Sequence, residues 1–371
     1  MKVLHLLKTS EGAAWALRLM KELVSYGIDV HVALPEGGRL YSKYIEYGIK
    51  VHPYECSLKT LSKSARDLRA IVDEVKPDLI HSHFVLTTII MRLALRDNAV
   101  PRVFEVPGPL HLEHWHTRWI DPFLAQRNDY WIATCKWTRD RYINLGISPE
   151  KVFLTYYGNN ISHNSYESGK LRTEFNISPT AFIVGMVAYM YAPKRFLGQK
   201  RGLKGHEDFI DAISILNRKY PDIVGICIGG PWAGATKYEM QVKDYAMRSG
   251  ANIIFTGTRN NVGELYQDID CVVHPSHSEN LGGAAESLSL GIPTIATNVG
   301  GFPDIVIDKE TGLLVAPKNP EDISRAIERM YLDRDFAKAC ASKGQHLVHN
   351  LLDVRNTSKD VLGFYNEILK R

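Results

Sequence analysis

The chain contains 371 residues, of which 45% are hydrophobic and 23% are charged, and its net charge is +4 at pH 7. This length exceeds the size at which single cores stop growing, so we expect two domains in a globular protein of ordinary composition. The weak positive charge, with no Lys/Arg-rich run of the kind that binds nucleic acid, argues against a nucleic-acid partner and is compatible with an anionic small ligand or a membrane surface.

The first half of the chain alternates strand and helix patterns. The predicted strands are residues 3–7, 29–34, 78–83, 103–106, 130–134 and 152–156, with a weaker one at 46–54, and the predicted helices are residues 15–26 and 58–75. This alternation indicates a parallel sheet with helices on both faces.

The second half repeats the alternation after a polar linker predicted at residues 158–179. Its predicted strands are residues 182–187, 224–229, 252–255, 269–273, 294–297 and 312–315, and its predicted helices are residues 206–219, 237–248 and those from 322 onward. Two similar α/β halves joined by one linker place a ligand in the cleft between them, at the carboxyl ends of strands.

Residues 274–286 contain the densest cluster of candidate site residues. The segment reads His-Pro-Ser-His-Ser-Glu-Asn-Leu-Gly-Gly-Ala-Ala-Glu and joins a buried strand to a helix. Gly282 and Gly283 allow close approach of a ligand to the backbone, and free amides at a helix start bind anions. The carboxylates of Glu279 and Glu286 accept hydrogen bonds from sugar or ribose hydroxyls. The pattern favours a phosphorylated, hydroxyl-rich ligand; the alternative is an ordinary βα turn.

A basic segment, residues 200–206, precedes the first long helix of the second half. It reads Lys-Arg-Gly-Leu-Lys-Gly-His. Cations at a helix N-terminus do not improve the electrostatics of the helix itself, because that end is already positive. A diphosphate held by Lys204, Arg201 and the amides of Gly282 and Gly283 would explain them. The alternative is a solvated Lys-rich loop.

Histidines and a pair of aspartates are the other candidates for chemistry. His111, His114 and His116 share one loop, but their spacing matches no zinc signature, so a polar contact or proton transfer is the favoured role. His81 and His83 end a strand on one face and either support the site or pack. The pair at 268 and 270 resembles a DxD metal motif, yet it begins a strand instead of ending one, which indicates a structural role.

The cysteines and the apolar runs bear on location. The five cysteines lie far apart and form no CxxC pair, which argues against structural zinc and favours a reducing compartment. Residues 1–7 are too short for a signal-peptide core, and no apolar run reaches the roughly 20 residues that span a bilayer. We therefore expect a cytoplasmic protein. Lys59, Lys63 and Arg66 form either a basic face for peripheral contact with the inner membrane or, preferably, a solvated helix face.

Together these motifs resemble glycosyltransferase family 4, the retaining glycosyltransferases of the GT-B fold. The specific matches are Ser-Glu-Asn-x-Gly from 278, Glu-Ser-Leu-x-x-Gly-x-Pro from 286, the segments 298–306 and 311–315, and the Lys-Gly pair at 204. The resemblance implies two Rossmann-like doubly wound domains facing across a cleft, with boundaries at 1–165 and 166–350. It also implies a C-terminal helix, 351–371, that returns to the N-terminal domain.

The resemblance also implies an activity and a site. A sugar would move from a nucleoside diphosphate sugar, UDP-linked (for example UDP-GlcNAc or UDP-Glc), to an acceptor hydroxyl, with no cofactor or metal. The implied donor-binding residues are Gly12, Arg201, Lys204, Glu279, Asn280, Leu281, Gly282, Gly283 and Glu286, and the implied catalytic residues are His111, Glu279 and Lys204. Within this set Glu279 would contact the sugar, Glu286 the ribose, and Lys204 the phosphates.

Three departures from the family pattern keep alternatives open. Glu279 and Glu286 enclose six residues where the family has seven. Ala188-Tyr189 stands where the family has Gly-Arg, so Arg201 is expected to replace the missing arginine. Pro107 replaces a family histidine, for which His111 is the expected substitute. A GT-B sugar-nucleotide epimerase and a catalytically inactive sugar-nucleotide-binding subunit are the alternatives. Some segments resemble a bacterial subgroup that acts on aminocyclitols and surface polysaccharides.

Overall fold

The structure, a computed structural model, describes residues 1–106, 108–115, 117–160, 168–195 and 198–371. These residues form two compact units. The first comprises Met1–Asn160 and Asn350–Arg371, and the second comprises the described part of Ile161–His349. The predicted boundary between residues 165 and 166 lies outside the described residues.

The first unit is built on a seven-stranded parallel sheet. Its strand order is β3-β2-β1-β4-β5-β6-β7. The strands are β1 Lys2–Leu6, β2 Asp29–Leu34, β3 Lys50–Pro53, β4 Leu79–Ser82, β5 Arg102–Glu105, β6 Asp129–Ala133 and β7 Val152–Leu154. The central strands are buried along nearly their whole length, because helices cover both faces of a parallel sheet.

The helices of the first unit follow the strands in turn. They are α1 Ala14–Ser25, α2 Tyr41–Glu46, α3 Leu61–Val75, α4 Val85–Ala94, α5 Leu110–Glu113, α6 Ile120–Leu124 and α7 Lys136–Asn144. The C-terminal helix α16, Val354–Lys370, also belongs to this unit. Its buried residues Val361, Tyr365 and Ile368 pack in the same core as β1 and α1. The implied return of the last helix to the N-terminal domain is therefore present.

The second unit is built on a six-stranded parallel sheet. Its strand order is β10-β9-β8-β11-β12-β13. The strands are β8 Phe182–Val187, β9 Ile223–Ile228, β10 Ile253–Gly257, β11 Cys271–His274, β12 Thr294–Thr297 and β13 Leu313–Val315. The helices are α8 Lys170–Glu174, α9 His206–Asn217, α10 Thr236–Ser249, α11 Val262–Leu265, α12 Gly282–Ser289, α13 Phe302–Ile305, α14 Pro320–Leu332 and α15 Arg334–Leu351. The predicted fold class, two Rossmann-like α/β domains, is confirmed.

The predicted linker is only partly a linker. Its end contains α8, whose first turn donates backbone hydrogen bonds to Asp268, from Gly169 at 2.5 Å and from Leu171 at 2.8 Å. Asp270 accepts a hydrogen bond from the backbone of Ile183 at 2.8 Å. The structural interpretation of the Asp268–Asp270 pair is therefore confirmed, since both carboxylates hold the backbone at the beginning of the second unit.

No helix within the described ranges is both long and apolar enough to cross a membrane. Lys63 and Arg66 lie exposed on α3. Nothing in these positions distinguishes a lipid-facing surface from a solvated one, so peripheral membrane contact stays a prediction.

Candidate active site

The turn between β11 and α12 brings two glycines to the start of a helix. Gly282 has a φ of +39°, and a Cβ at this position would lie 2.8 Å from the carboxyl carbon of Glu279. A Cβ on Gly283 would lie 2.8 Å from Cε1 of His274, which is buried and 3.0 Å from the hydroxyl of Ser287. The positive φ of Gly282 and the close approach of His274 to Gly283 favour glycine at both positions, which leaves the start of α12 without Cβ atoms there.

Lys204 reaches the same turn from the segment that precedes α9. Gly205 has a φ of +74°, and a Cβ there would lie 2.1 Å from the carbonyl oxygen of Pro275. The backbone of His277 donates a hydrogen bond to Leu203 at 2.8 Å. These contacts fix the Lys-Gly turn against the end of β11. The ammonium of Lys204 forms an ion pair with the carboxylate of Glu279, and both side chains are largely buried.

Glu286 lies on α12, one turn beyond the glycines, and faces a cavity of about 280 Å³. Burial raises the pKa of this carboxyl, and a hydrogen bond from Tyr266 partly offsets the increase. The cavity wall includes Lys204, Gly283, Glu286, Tyr189, Tyr191 and Arg259. A cation, the start of a helix and a carboxylate thus surround one space, which suits a ligand carrying both phosphate and hydroxyl groups.

Asn280 and Leu281 complete the turn. Both are buried, and the backbone of Asn280 donates a hydrogen bond to Oε1 of Glu279 at 3.2 Å. The shortened loop between Glu279 and α12 therefore turns back on the carboxylate of Glu279. The backbone of Gly301 also donates to the carbonyl oxygen of Glu279 at 3.3 Å. The position of Glu279 is thus held by its own segment and by the loop after β12.

Arg201 is directed to the acids of α9. Its guanidinium contacts Asp208 at 2.5 Å and Asp211 at 2.8 Å, and Asp208 also meets His277 at 2.5 Å. Burial would lower the pKa of Arg201, but the two carboxylates raise it overall. Arg201 is not among the residues that line the cavity. Its predicted contact with a diphosphate stays a prediction, and in this structure Arg201 orders the segment that carries Lys204.

Arg259 is a cavity residue that the sequence analysis missed. It follows β10, and it donates from Nε to the carbonyl oxygen of Thr256 at 3.1 Å while its terminal nitrogen pairs with Glu174. The signal was available, because Thr258 and Arg259 come directly after a strand, at the carboxyl-end edge where the other site residues lie. Arg259 is a second cation on the wall that carries Lys204.

Gly12 and His111 belong to the first unit. Gly12 lies in the turn between β1 and α1, where an added Cβ would meet nothing within 4 Å. His111 lies on α5 with Nε2 3.1 Å from the hydroxyl of Tyr142. Burial lowers the pKa of His111, against the opposing effects of Asp121 and the backbone of Gly108. His111 is therefore held neutral in a hydrogen-bonded position; His116 lies outside the described residues.

A second histidine cluster occupies the ends of β1, β4 and β5. His5, His81, His83 and Glu105 are all fully or almost fully buried. Nδ1 of His83 lies 2.8 Å from Oε2 of Glu105, Nε2 of His81 lies 3.3 Å from the same oxygen, and Nδ1 of His5 lies 2.8 Å from Nε2 of His83. The hydroxyl of Tyr365 on α16 lies 2.5 Å from Nδ1 of His81. We call these five residues the histidine–glutamate network.

One assignment of protons makes each of these contacts a donor–acceptor pair. His83 and His81 direct N–H groups toward an ionised Glu105, His5 donates to His83, and Tyr365 donates to His81. Burial would raise the pKa of Glu105, but hydrogen bonds from His81 and His83 hold it at about 2. The network ties three neighbouring strands and the C-terminal helix together, a structural role that the sequence analysis left open for His81 and His83.

Family models match both halves of the chain. The Glycosyltransferase Family 4 model matches residues 12–162, and the "Glycosyl transferases group 1" model matches residues 195–347. The chain superposes on the crystal structure of Anabaena HepE with a TM-score of 0.81 and 21% identity, covering 99% of this chain and 100% of HepE. This chain is a glycosyltransferase of the GT-B fold.

Two relatives give the range of activities near this glycosyltransferase. It is 24% identical to the lipopolysaccharide core biosynthesis mannosyltransferase LpsB of Rhizobium meliloti over 69% of this chain and 70% of LpsB. It is 22% identical to the capsular polysaccharide biosynthesis glycosyltransferase CapM of Staphylococcus aureus over 100% of this chain and 98% of CapM. Both identities are low, so neither relative gives the donor or the acceptor.

Replacing Glu286 with glutamine should weaken UDP binding by about tenfold, because charge-assisted hydrogen bonds to ribose hydroxyls become neutral ones. Burial raises the pKa of Glu286, so this carboxylate takes up a proton at a higher pH than an ordinary glutamate does. As the pH is lowered, the affinity of the wild-type protein for UDP should therefore begin to fall at a higher pH than for an ordinary carboxylate. Isothermal titration calorimetry with UDP between pH 5 and pH 8 measures both effects. Glu310→Gln, at an exposed glutamate outside the cavity, is the control; equal affinities for all three proteins would contradict the ribose role.

Proposed function

We propose that this glycosyltransferase transfers a sugar from a UDP-sugar to an acceptor hydroxyl, with retention of configuration at the anomeric carbon. The observation that carries the proposal is the common cavity lined by Lys204, by Gly283 at the start of α12 and by Glu286. On one wall of the cavity this arrangement supplies positive charge for a diphosphate and a carboxylate that accepts hydrogen bonds from ribose hydroxyls.

The relatives support UDP as the carrier and a glycan as the product. HepE has been crystallised with UDP and also with UDP-glucose, and this chain covers 99% of its own length in both superpositions. CapM acts in capsular polysaccharide biosynthesis and LpsB in lipopolysaccharide core biosynthesis. We accordingly propose UDP-Glc or UDP-GlcNAc as donor and a glycan or glycosylated natural product as acceptor.

In the proposed mechanism the protein stabilises the leaving diphosphate electrostatically. As the bond between the anomeric carbon and the phosphate oxygen breaks, negative charge grows on the diphosphate, and Lys204 and the amides of Gly282 and Gly283 would stabilise it. Lys204 is paired with Glu279, so a phosphate must share the ammonium with that carboxylate. Glu279 is then freed to accept hydrogen bonds from the hydroxyls of the sugar.

The acceptor hydroxyl forms the new bond from the face that the diphosphate leaves. Its proton passes to the departing phosphate oxygen, so the products are the glycoside and the protonated nucleoside diphosphate. His111 would orient hydroxyls of the transferred sugar by exchanging its hydrogen bond with Tyr142 for one with the sugar. Gly12 would leave room for the ligand beside the turn after β1.

The test uses the purified full-length chain. Calorimetry with UDP, GDP and ADP should show the tightest binding for UDP, and incubation with UDP-Glc or UDP-GlcNAc and an acceptor panel should release UDP. NMR of the product should show the anomeric configuration of the donor. Absence of UDP binding would overturn the proposal. Conversion of the sugar without an acceptor would instead indicate an epimerase, and UDP binding without any turnover would indicate a binding subunit.

We also propose that the reaction needs no metal ion. Lys204, Arg259 and the start of α12 supply positive charge on the cavity wall, which is the part that a divalent cation plays in other diphosphate sites. Sugar transfer should therefore be unchanged by millimolar EDTA, measured as initial rates of UDP release. Loss of activity that Mg²⁺ or Mn²⁺ restores would contradict the proposal.

A further inference from the structure

Three aromatic rings lie together beside the cavity, where the family pattern has a Gly-Arg pair. The rings of Tyr189 and Trp232 meet edge to face at 5.2 Å, and those of Tyr191 and Trp232 stack at 5.4 Å. Tyr189 is 41% exposed and Trp232 is 49% exposed. We call Tyr189, Tyr191 and Trp232 the aromatic platform. Rings this exposed contribute little to a core, so their packing against one another needs another explanation.

The backbone holds the aromatic platform in place. Met190 is fully buried, so the extended chain directs its neighbours Tyr189 and Tyr191 to the opposite side. Met190 donates to Gly230 at 2.9 Å and accepts from the backbone of Trp232 at 3.1 Å, which joins the loops after β8 and β9. Ala233 has a φ of +49°, an unfavourable conformation for alanine. The chain thus accepts local strain next to Trp232.

The strand order places the aromatic platform next to the reacting groups. β8 and β9, which carry the three rings, lie between β11, which leads to Glu279 and α12, and β10, which leads to Arg259. The ammonium of Lys204 lies 5.7 Å from the centre of the Tyr191 ring, and Tyr189 and Tyr191 both line the cavity. One end of the platform therefore adjoins the Lys204–Glu279 pair, where the transferred sugar would lie.

We propose that the aromatic platform binds a sugar ring of the acceptor by stacking; this rests on the proposed function. The C–H face of a pyranose packs on an aromatic ring while its hydroxyls stay at the edge. Here phenol hydroxyls and the Lys204–Glu279 pair border the ring faces, so apolar and hydrogen-bonding surfaces lie side by side. A saccharide offers hydroxyls to these polar groups and C–H faces to the rings, whereas a lipid chain offers only apolar contacts, so the chemistry favours a saccharide.

A glycan array tests the proposal with the intact chain. Fluorescently labelled protein is applied with saturating UDP to an oligosaccharide array, and bound glycans are then titrated in solution. Trp232→Ala should weaken glycan binding by about tenfold, Trp232→Phe should retain it, and UDP affinity should be unchanged in both. Met247→Ala removes a side chain that is 77% exposed on α10 and serves as the control.

The outcomes separate this proposal from the proposed function. If wild type binds UDP but no glycan, or if Trp232→Ala binds glycans as wild type does, the acceptor platform is wrong and the donor site stands. If Trp232→Ala weakens UDP binding, the rings hold the nucleotide base and not the acceptor. If wild type does not bind UDP at all, the proposed function itself fails.

Discussion

Replacing Lys204 with alanine should lower kcat for sugar transfer by about 10²–10³-fold, the usual loss when one preorganised group that stabilises developing charge is removed. Lys204 is the cation that contacts Glu279 and lines the cavity with Gly283 and Glu286. The loss should be greater in kcat than in UDP affinity, because negative charge on the diphosphate is greatest in the transition state. Initial rates of UDP release across donor concentrations measure kcat and KM separately.

A matched control comes from the same segment. Lys200 is exposed and does not line the cavity, so Lys200→Ala should leave both kinetic constants unchanged. Glu279→Gln removes the partner of Lys204 and leaves the ammonium free for phosphate. It should lower kcat with the UDP-sugar while binding of UDP is retained or strengthened. If Lys204→Ala and Lys200→Ala behaved alike, the electrostatic role of Lys204 would be wrong.

Much of the fold could be predicted because parallel strands covered on both faces are continuous apolar runs. β2, β8 and β12 have the predicted bounds, and the other strands differ only by a few residues at their ends. The linker was predicted too long, since α8 is short, polar and held by Asp268, which lies about a hundred residues away in the chain. A local pattern cannot reveal a helix that depends on so distant a partner.

The cavity could be predicted in part, for the same topological reason. Lys204, Gly283 and Glu286 each follow a strand of one parallel sheet, so their meeting at one edge follows from the fold. The fold alone did not predict which arginine lines the cavity. Arg201 is near Lys204 in sequence but is directed to Asp208 and Asp211, whereas Arg259 reaches the cavity from a different strand. The direction of an arginine side chain depends on the carboxylates that lie nearest to it in the folded chain. The spacing of residues along the sequence does not show which carboxylates these are.

The histidine–glutamate network was hidden from sequence analysis for a further reason. His5, His83 and Glu105 come from strands that are neighbours only through the order β1-β4-β5, and each residue alone looks like an ordinary strand end. Tyr365, the partner of His81, follows 284 residues later in the chain. The network became visible only with the sheet order and the return of α16, and it predicts a large stability effect.

Replacing Glu105 with glutamine should destabilise the protein by about 1.5–3 kcal/mol, because the hydrogen bonds from the neutral histidines to a charged carboxylate become bonds to a neutral amide. Glu105 is 2% exposed and is contacted by both His81 and His83. Glutamine keeps the volume but loses the charge; its carbonyl oxygen can still face both histidines, which contact the same oxygen of Glu105, but as a neutral and weaker acceptor. Urea unfolding followed by circular dichroism measures the free energy of unfolding. Glu46→Gln, an exposed glutamate on α2, should change it little.

The same network sets the sign of the pH dependence. The pKa of Glu105 in the folded chain is about 2, below the roughly 4.3 of an unfolded glutamate, so its stabilisation is complete above pH 4.3 and is lost as the pH falls toward 2. Burial lowers the pKa of His81 to about 4, below the roughly 6.5 of a free imidazole. The unfolded chain therefore binds more protons than the folded chain between about pH 6.5 and pH 2.

Wild-type stability should accordingly fall continuously on acidification below about pH 6.5. Buried His206 and His274, with pKa values near 4 and 3 in the second unit, act in the same direction. The free energy of unfolding of Glu105→Gln should depend less steeply on pH between pH 4 and pH 2, because glutamine has no carboxylate to take up a proton in this range. If Glu105→Gln kept the wild-type slope in that range, the carboxylate would not be ionised in the folded chain. A buried neutral Glu105 would then act only as a hydrogen-bond partner of the histidines.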